Sequence, residues 1–197
     1  MVRRQNIGPS HYSAILGFNK YKTIEDLQSE IEVGFVRNEN INPAMSMGIQ
    51  KESEVIKLYE KIKEKKVKQA HWIRSGLNKS EQVVNKSEQL LKPKVNRILA
   101  KADGLIDKDG GIEIKCHYGK EKALPSVPLY YLVQILGYLH LYKRDWWDLV
   151  SCCFDKDGKI GHYRIHRIYW KDYSKPWLEF WYPQIEDFVN TVQWSSD

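Results

Sequence analysis

The segment VPLYYLVQILGYLHLYK, residues 127–143, is apolar on almost every side. A helix of this kind is expected inside a domain, because a surface helix would show a polar face. Strand-like segments flank it, with VNRILAKADGLID and GIEIKC before it and WWDLVSCCF and GHYRIHRIYW after it. This order predicts one α/β domain over residues 1–197, in which helices flank a mixed central β-sheet.

Further helices are expected at both ends of the chain. Two short ones cover HYSAILG and TIEDLQSEIEVGF, with Thr23 as N-cap of the second and Gly34 at its end. A longer helix runs from about Ala44 to Lys65 and ends within the lysine-rich segment KIKEKKVK. QAHWIRS is a candidate strand, and GLNKSEQVVNKSEQLLKPK is expected to be loop with a helical turn. Ser174 would cap the last helix, and Pro183 would kink it.

The composition, 42% hydrophobic and 28% charged residues, is that of a globular protein. No apolar run is long enough to span a bilayer and the N-terminus has no signal-peptide pattern, so we expect an intracellular protein with no membrane partner. Three cysteines without paired spacing indicate neither a disulfide framework nor a structural zinc site. A net charge of +6 is compatible with a polyanion such as DNA.

The two strands KADGLID and GIEIKC place acidic and basic side chains on one surface. Because successive strand residues point to opposite faces, Glu113 and Lys115 share a face, and Asp103 on the preceding strand can meet them. Two neighbouring carboxylates repel each other unless a cation lies between them, and oxygen ligands suit Mg²⁺ or Mn²⁺. A nearby lysine could position or deprotonate a water that the metal activates. The residues alone slightly favour a solvated amphipathic hairpin over this metal site.

Glu52 and Gln134 add polar groups where the pattern is otherwise apolar. Glu52 has apolar residues three before, three after and four after it, so it projects from the apolar side of the long helix. A carboxylate there needs a metal or a buried basic partner. Gln134 is the one amide of the apolar helix and must find hydrogen bonds, either to Lys115 or a water, or to a strand carbonyl.

Together, these segments make the chain resemble the PD-(D/E)xK nuclease superfamily, and within it the lambda-exonuclease and YqaJ-type viral recombinase nucleases. The resemblance rests on RRQNIGPSHYSAILG, on MGIQKESEVIKLYE, on ADGLIDKDGGIEIKC and on YYLVQILGY. Ala102 stands where many members have proline, which is not a ligand. The resemblance implies a restriction-endonuclease-like core for the mixed sheet.

The resemblance also assigns roles. Asp103, Glu113 and the backbone carbonyl of Ile114 would bind Mg²⁺ or Mn²⁺, Lys115 would serve the attacking water, and Glu52 and Gln134 would complete the site. In the N-terminal segment, Arg3 and Ser10 would hold a DNA phosphate.

The implied activity is metal-dependent exonucleolytic hydrolysis of linear double-stranded DNA from a 5′ end. Implied partners are double-stranded DNA ends and a single-strand annealing protein, and the implied assembly is a ring-shaped trimer. A PD-(D/E)xK endonuclease and a non-catalytic nucleic-acid-binding domain are the alternatives.

Overall fold

A computed structural model describes residues 6–33, 43–75 and 97–194. The helices lie at Tyr12–Ile15 (α1), Ile24–Val33 (α2), Pro43–Lys63 (α3), Leu129–Tyr142 (α4), Trp170–Pro176 (α5) and Tyr182–Thr191 (α6), with a 3₁₀ turn at Pro9–His11 and a π-helical segment at Trp177–Trp181. The strands are Val67–Lys68 (β1), Ile73–Arg74 (β2), Leu99–Ala100 (β3), Gly104–Ile106 (β4), Gly110–Tyr118 (β5), Trp146–Phe154 (β6) and Ile160–Tyr169 (β7). Arg3, Gly34 and the predicted loop GLNKSEQVVNKSEQLLKPK lie outside the described residues.

Within the described ranges, five strands form one sheet in the order β1-β4-β5-β6-β7. The central pair, β5 and β6, is parallel, whereas β1 with β4, β4 with β5 and β6 with β7 are antiparallel. Strands β2 and β3 form a separate antiparallel pair. The predicted mixed sheet flanked by helices is therefore confirmed.

Helix α4 makes the crossover that the parallel pair β5 and β6 requires. Every residue from Val133 to Leu139 is buried, and the helix packs in one core cluster with Trp147 and Leu149 of β6. The expected buried helix is thus present. None of the helices in the described ranges is both long and apolar enough to cross a membrane.

Helix α3 covers the opposite face of the sheet. Val55 and Tyr59 pack in a second core cluster with Ile112 and Ile114 of β5. Since alternate residues of β5 point to opposite faces, Glu113 points to the face that carries α4. The fold therefore places β5 between the two helices that carry Glu52 and Gln134.

The lysine-rich end of α3 differs from the prediction. The helix ends at Lys63, Glu64 takes a left-handed conformation with φ of 52°, and the Val67 N–H donates to Glu60 Oε1 at 2.9 Å. Val67 then pairs with Ile106 as strand β1. Two strand residues have too little alternation to stand out in a sequence, which is why this edge strand was not expected.

The C-terminal helical region begins earlier than predicted, and Ser174 does not cap it. Helix α5 follows β7 directly, and the Trp170 N–H donates to the backbone oxygen of Asp145 at 2.8 Å, so Ser174 lies inside the helix. Pro183 stands at the start of α6, directly after the π-helical segment. A proline has no N–H to donate, so an irregular segment before it agrees with the predicted kink.

Candidate active site

Asp103 stands where strands β4 and β5 separate. Gly104 pairs with Ile112, and beyond this pair β5 continues without a β4 partner. The Asp103 Oδ2 atom accepts a hydrogen bond from the Ile114 N–H at 2.7 Å. The carboxylate thus continues the hydrogen bonding of the sheet and is fixed beside Glu113 and Lys115.

Glu113 is buried, with 3% of its surface exposed, and its two oxygens have different surroundings. Oε1 accepts hydrogen bonds from Lys115 Nζ at 2.6 Å and from Gln134 Nε2 at 2.7 Å. Oε2 is buried, and among the described residues it has no hydrogen-bond partner. An unsatisfied buried carboxylate oxygen is costly, so this atom indicates a position for a cation or a hydrogen-bond donor.

Lys115 is held by the carboxylates around it. Burial lowers the pKa of Lys115, but the contacts with Glu113 and Asp103 outweigh burial, so its pKa is raised. Its Nζ also lies 4.8 Å from the centroid of the Tyr131 ring, a favourable cation–π distance. In this arrangement Lys115 is a cation that donates a hydrogen bond to Glu113.

Glu52 approaches the site from α3. Burial raises the pKa of Glu52, and the Glu113 carboxylate raises it further, whereas Lys101 and Lys115 lower it. Burial likewise raises the pKa of Asp103 well above its ordinary value, with Glu113 and Glu52 adding to the effect. The three acidic side chains therefore interact electrostatically in a partly desolvated place.

Gln134 has a different partner from those predicted. Its amide binds the Glu113 carboxylate and lies 3.2 Å from the Tyr138 hydroxyl, not against Lys115 or a strand carbonyl. The reason is that α4 packs over the sheet face to which Glu113 points. Tyr138 lies four residues after Gln134, so the sequence places both on one helix face, but it assigned Tyr138 no role in the site.

The connection into α4 is fixed by side chains from β6 and β7. The Leu124 N–H donates to Ser151 Oγ at 3.0 Å, and the Leu124 carbonyl lies 2.9 Å from His166 Nε2. The Ala123 N–H donates to His162 Nδ1 at 3.1 Å. These contacts set where α4 begins and so help to place Tyr131 and Gln134 over the site.

The donor chemistry fits a hard divalent cation. Burial and the Glu113 carboxylate raise the pKa values of Glu52 and Asp103, and among the described residues one buried Glu113 oxygen has no hydrogen-bond partner. An oxygen-liganded Mg²⁺ or Mn²⁺ would stabilise such a group of carboxylates. In the part of the chain that the structure describes, no three His, Cys, Asp or Glu side chains already stand together as a metal-binding group.

Ser10, one of the two predicted phosphate-binding residues, is exposed in the 3₁₀ turn Pro9–His11. The turn packs beside α4, where a Cβ on Gly137 would come within 3.0 Å of Pro9 and within 2.5 Å of Tyr12. Gly137 thus allows the N-terminal segment to approach the helix that carries Gln134. Arg3, the other predicted phosphate ligand, lies outside the described residues.

Comparison with known structures identifies the fold. The chain is similar to an alkaline exonuclease (LHK-Exo) from Laribacter hongkongensis, at 18% identity and a TM-score of 0.66 over 96% of this chain and 89% of that one. LHK-Exo in complex with dAMP matches at 16% identity and a TM-score of 0.60, covering 95% and 91% of the two chains. A phage related exonuclease from Haemophilus somnus 129PT matches at 15% identity and a TM-score of 0.60, covering 95% and 92%.

Sequence comparison identifies the family. Residues 1–144 match the YqaJ-like viral recombinase domain, and the chain belongs to that family. No curated protein matches the chain. The family resemblance predicted from the four motifs is thus confirmed, and the family supports a phage-type exonuclease.

Proposed function

We propose that this protein is a divalent-metal-dependent exonuclease that hydrolyses linear double-stranded DNA from a 5′ end. The observation that carries the proposal is the buried Glu113 carboxylate. Lys115 and Gln134 hold one of its oxygens, and the other has no hydrogen-bond partner in the part of the chain that the structure describes. Asp103 and Glu52 lie within electrostatic reach of it. Acidic oxygens around a lysine provide ligands for a cation and a donor for a negatively charged phosphate.

In this proposal Asp103, Glu113 and the Ile114 carbonyl hold Mg²⁺ or Mn²⁺, and Glu52 supports the ion. When bound, the ion would lower the pKa of a water and neutralise charge on the phosphate. Lys115, a cation in the structure, donates to the attacking water or to a phosphoryl oxygen and stabilises the negative charge that develops there. Gln134 keeps Glu113 in place, and Ser10 and Arg3 bind a neighbouring phosphate.

The substrate and the polarity rest on the resemblance to lambda-type exonucleases. The LHK-Exo complex with dAMP supports a site that accepts a deoxynucleotide. We also propose, on the same resemblance, a role in phage-type recombination with a single-strand annealing protein and assembly into a trimer.

Cleavage of DNA tests the proposal directly. Linear duplex DNA with a 5′-phosphate and closed circular plasmid are incubated with the protein in Mg²⁺ or in EDTA. We expect only the linear DNA to be degraded, and only in Mg²⁺. Cutting of both substrates would instead indicate an endonuclease, and cutting of neither in Mg²⁺ or Mn²⁺ would contradict the proposal.

Lys115→Ala should lower the cleavage rate by about a hundredfold or more, because the donor that stabilises the developing charge is removed. DNA binding in EDTA should stay within a few-fold of the parent protein. Lys57→Ala, at an exposed position on α3, is the matched control and should cut at the parent rate. Unchanged cleavage by Lys115→Ala would show that the mechanism is wrong.

A further inference from the structure

A row of aromatic and basic side chains leads away from Lys115 to the protein surface. Lys115 Nζ lies over the Tyr131 ring, and the Tyr131 and Tyr130 ring centroids are 4.4 Å apart. Lys20 Nζ lies 5.7 Å from the Tyr130 centroid and 4.9 Å from the Tyr21 centroid. We call Tyr21, Lys20, Tyr130 and Tyr131 the tyrosine path.

The outer end of the tyrosine path is exposed but held in place. Tyr21 has 81% of its surface exposed, so burial within this chain does not account for its position. The loop beneath it is ordered by Asn19, whose Oδ1 accepts from the N–H groups of Tyr21 and Lys22 at 2.8 and 3.1 Å. Asn19 Nδ2 donates to Ser13 Oγ at 3.0 Å, which ties the loop to α1. A large ring is therefore presented to solvent by a preorganised loop.

The chemistry of the path matches a single nucleic-acid strand. Proteins that bind such strands combine cations that contact phosphates with aromatic rings on which bases stack. Lys20 supplies the cation, and its interactions with Tyr21 and then with Tyr130 raise the pKa of Lys20, so it stays protonated. A protein partner would favour a continuous apolar face, which a row interrupted by an ammonium group does not provide. The path also ends at Lys115, so it is continuous with the candidate site.

We propose that Tyr21 and Tyr130 stack on unpaired bases of the DNA strand that enters the site, and that Lys20 binds a phosphate of the same strand. The inference rests on the proposed nuclease function, because it takes the strand to be the one cut beside Lys115. It adds a subsite for bases to a site otherwise made of groups that bind phosphate and metal.

Binding in EDTA to matched DNA probes tests the inference without relying on cleavage. One probe is a fluorescent duplex with a 5′-phosphate and a short unpaired 5′ stretch, and the other has abasic nucleotides in that stretch. The parent protein should bind the base-bearing probe about tenfold more tightly than the abasic probe, in line with the stacking of one or two bases. Tyr21→Ala and Tyr130→Ala should each remove most of this preference.

Two further variants separate stacking from other effects. Tyr21→Phe should keep the preference, because stacking uses the ring face and not the hydroxyl. Tyr163→Ala is the matched control, since Tyr163 is 40% exposed on β7 and lies outside the tyrosine path, and it should bind like the parent. Each variant should have the same thermal unfolding midpoint as the parent, which would show that its fold is intact.

Equal affinity of the parent for the two probes would overturn the inference, and so would an unchanged preference in both alanine variants. A parent that degrades linear DNA but shows no base preference would disprove the tyrosine path and leave the nuclease proposal standing. A preference for the base-bearing probe without any DNA cleavage in Mg²⁺ or Mn²⁺ would support the tyrosine path and contradict the nuclease proposal.

Discussion

At the scale of single residues, Glu113 shows how the candidate site is prepared. Lys115 and Gln134 both donate to one carboxylate oxygen, and the other is buried without a hydrogen-bond partner within the described ranges. Satisfying one oxygen orients the carboxylate and leaves the second free for a ligand. A residue selected only for stability would be expected to have both oxygens paired, so the arrangement favours a role in binding.

Asp103→Asn should make the protein more stable in EDTA at pH 8. Burial and the neighbouring carboxylates raise the pKa of Asp103, so its charged form is less favourable in the folded protein than in the unfolded chain. This destabilisation is absent below the unfolded value of about 3.9 and grows as the pH rises through the folded pKa. Asparagine carries no charge at acidic or alkaline pH, so the variant lacks this destabilisation. Its side-chain oxygen can still accept a hydrogen bond from the Ile114 N–H.

Thermal unfolding of the parent and of Asp103→Asn at pH 4 and pH 8 measures this effect. The midpoint of the variant should exceed that of the parent at pH 8, by roughly 2–4 °C for each kcal/mol gained, and the difference should shrink at pH 4. Added Mg²⁺ should raise the midpoint of the parent by mass action and not that of the variant. A variant less stable than the parent at pH 8 would contradict the prediction.

At the scale of secondary-structure elements, a buried polar group ties α3 to the sheet. Asp148 on β6 is fully buried and accepts from the Tyr59 hydroxyl of α3 at 2.6 Å. Arg167 on β7 donates two hydrogen bonds of 2.8 Å to the same carboxylate, and its guanidinium lies 3.7 Å from the Trp146 ring centroid. Three elements thus meet at one buried charge.

Arg167→Met should lower the free energy of unfolding by about 3–5 kcal/mol, because it leaves the Asp148 charge buried without a cation. Urea unfolding measures the loss. Arg144→Met is the control, since Arg144 donates at the surface to the backbone oxygen of Asp107, and it should cost less than about 1 kcal/mol. Equal losses of unfolding free energy in the two variants would show that the buried Arg167–Asp148 pair stabilises the fold no more than a surface contact does.

The joint between α4 and the C-terminal helices should be sensitive to acid. His140 Nδ1 accepts from Trp177 Nε1 at 3.0 Å, its ring stacks on Tyr182, and burial lowers the pKa of His140 to about 4. Because the folded pKa lies below the unfolded value of about 6.5, the unfolded chain binds the proton first as the pH falls. Neutral His140 contributes its full stability above pH 6.5. As the pH falls from 6.5 to 4, the free energy of unfolding decreases by about 3 kcal/mol because this contribution is lost.

Urea unfolding of the parent and of His140→Gln between pH 4 and pH 7.5 tests this. The difference in stability between the two proteins should be largest at pH 7.5 and should narrow as the pH falls. A difference that does not change with pH would show that the imidazole does not titrate in the way the structure indicates.

At the scale of the whole molecule, the chain carries 31 basic and 25 acidic side chains. We propose that residues 1–197 act as one domain with DNA as the polyanionic partner. Binding of linear duplex DNA in EDTA should weaken linearly on a plot of log affinity against log salt, with a slope of about −0.9 for each phosphate contacted. Fluorescence anisotropy between 50 and 200 mM KCl measures the slope, and affinity that does not change with salt would contradict a phosphate-binding surface.

The sequence by itself determined the buried helix α4 and which side chains of β5 share a face. Alternation in GIEIKC separates Glu113 and Lys115 from Ile112 and Ile114, because strand geometry repeats every two residues. The apolar character of α4 predicts its burial for a similar local reason. Motif spacing was sufficient for the family, although the roles of the site residues stay predictions.

Only the tertiary structure decided the partners of the polar groups. Gln134 binds Glu113, Asp103 binds the Ile114 N–H and Lys20 lies near the Tyr130 ring, and each contact joins separate segments of the chain. The strand at Val67 and the start of α5 before Ser174 likewise depend on backbone hydrogen bonds from elsewhere. Local patterns determine helix and strand faces because those depend on neighbouring residues, whereas hydrogen-bond partners depend on how the elements pack.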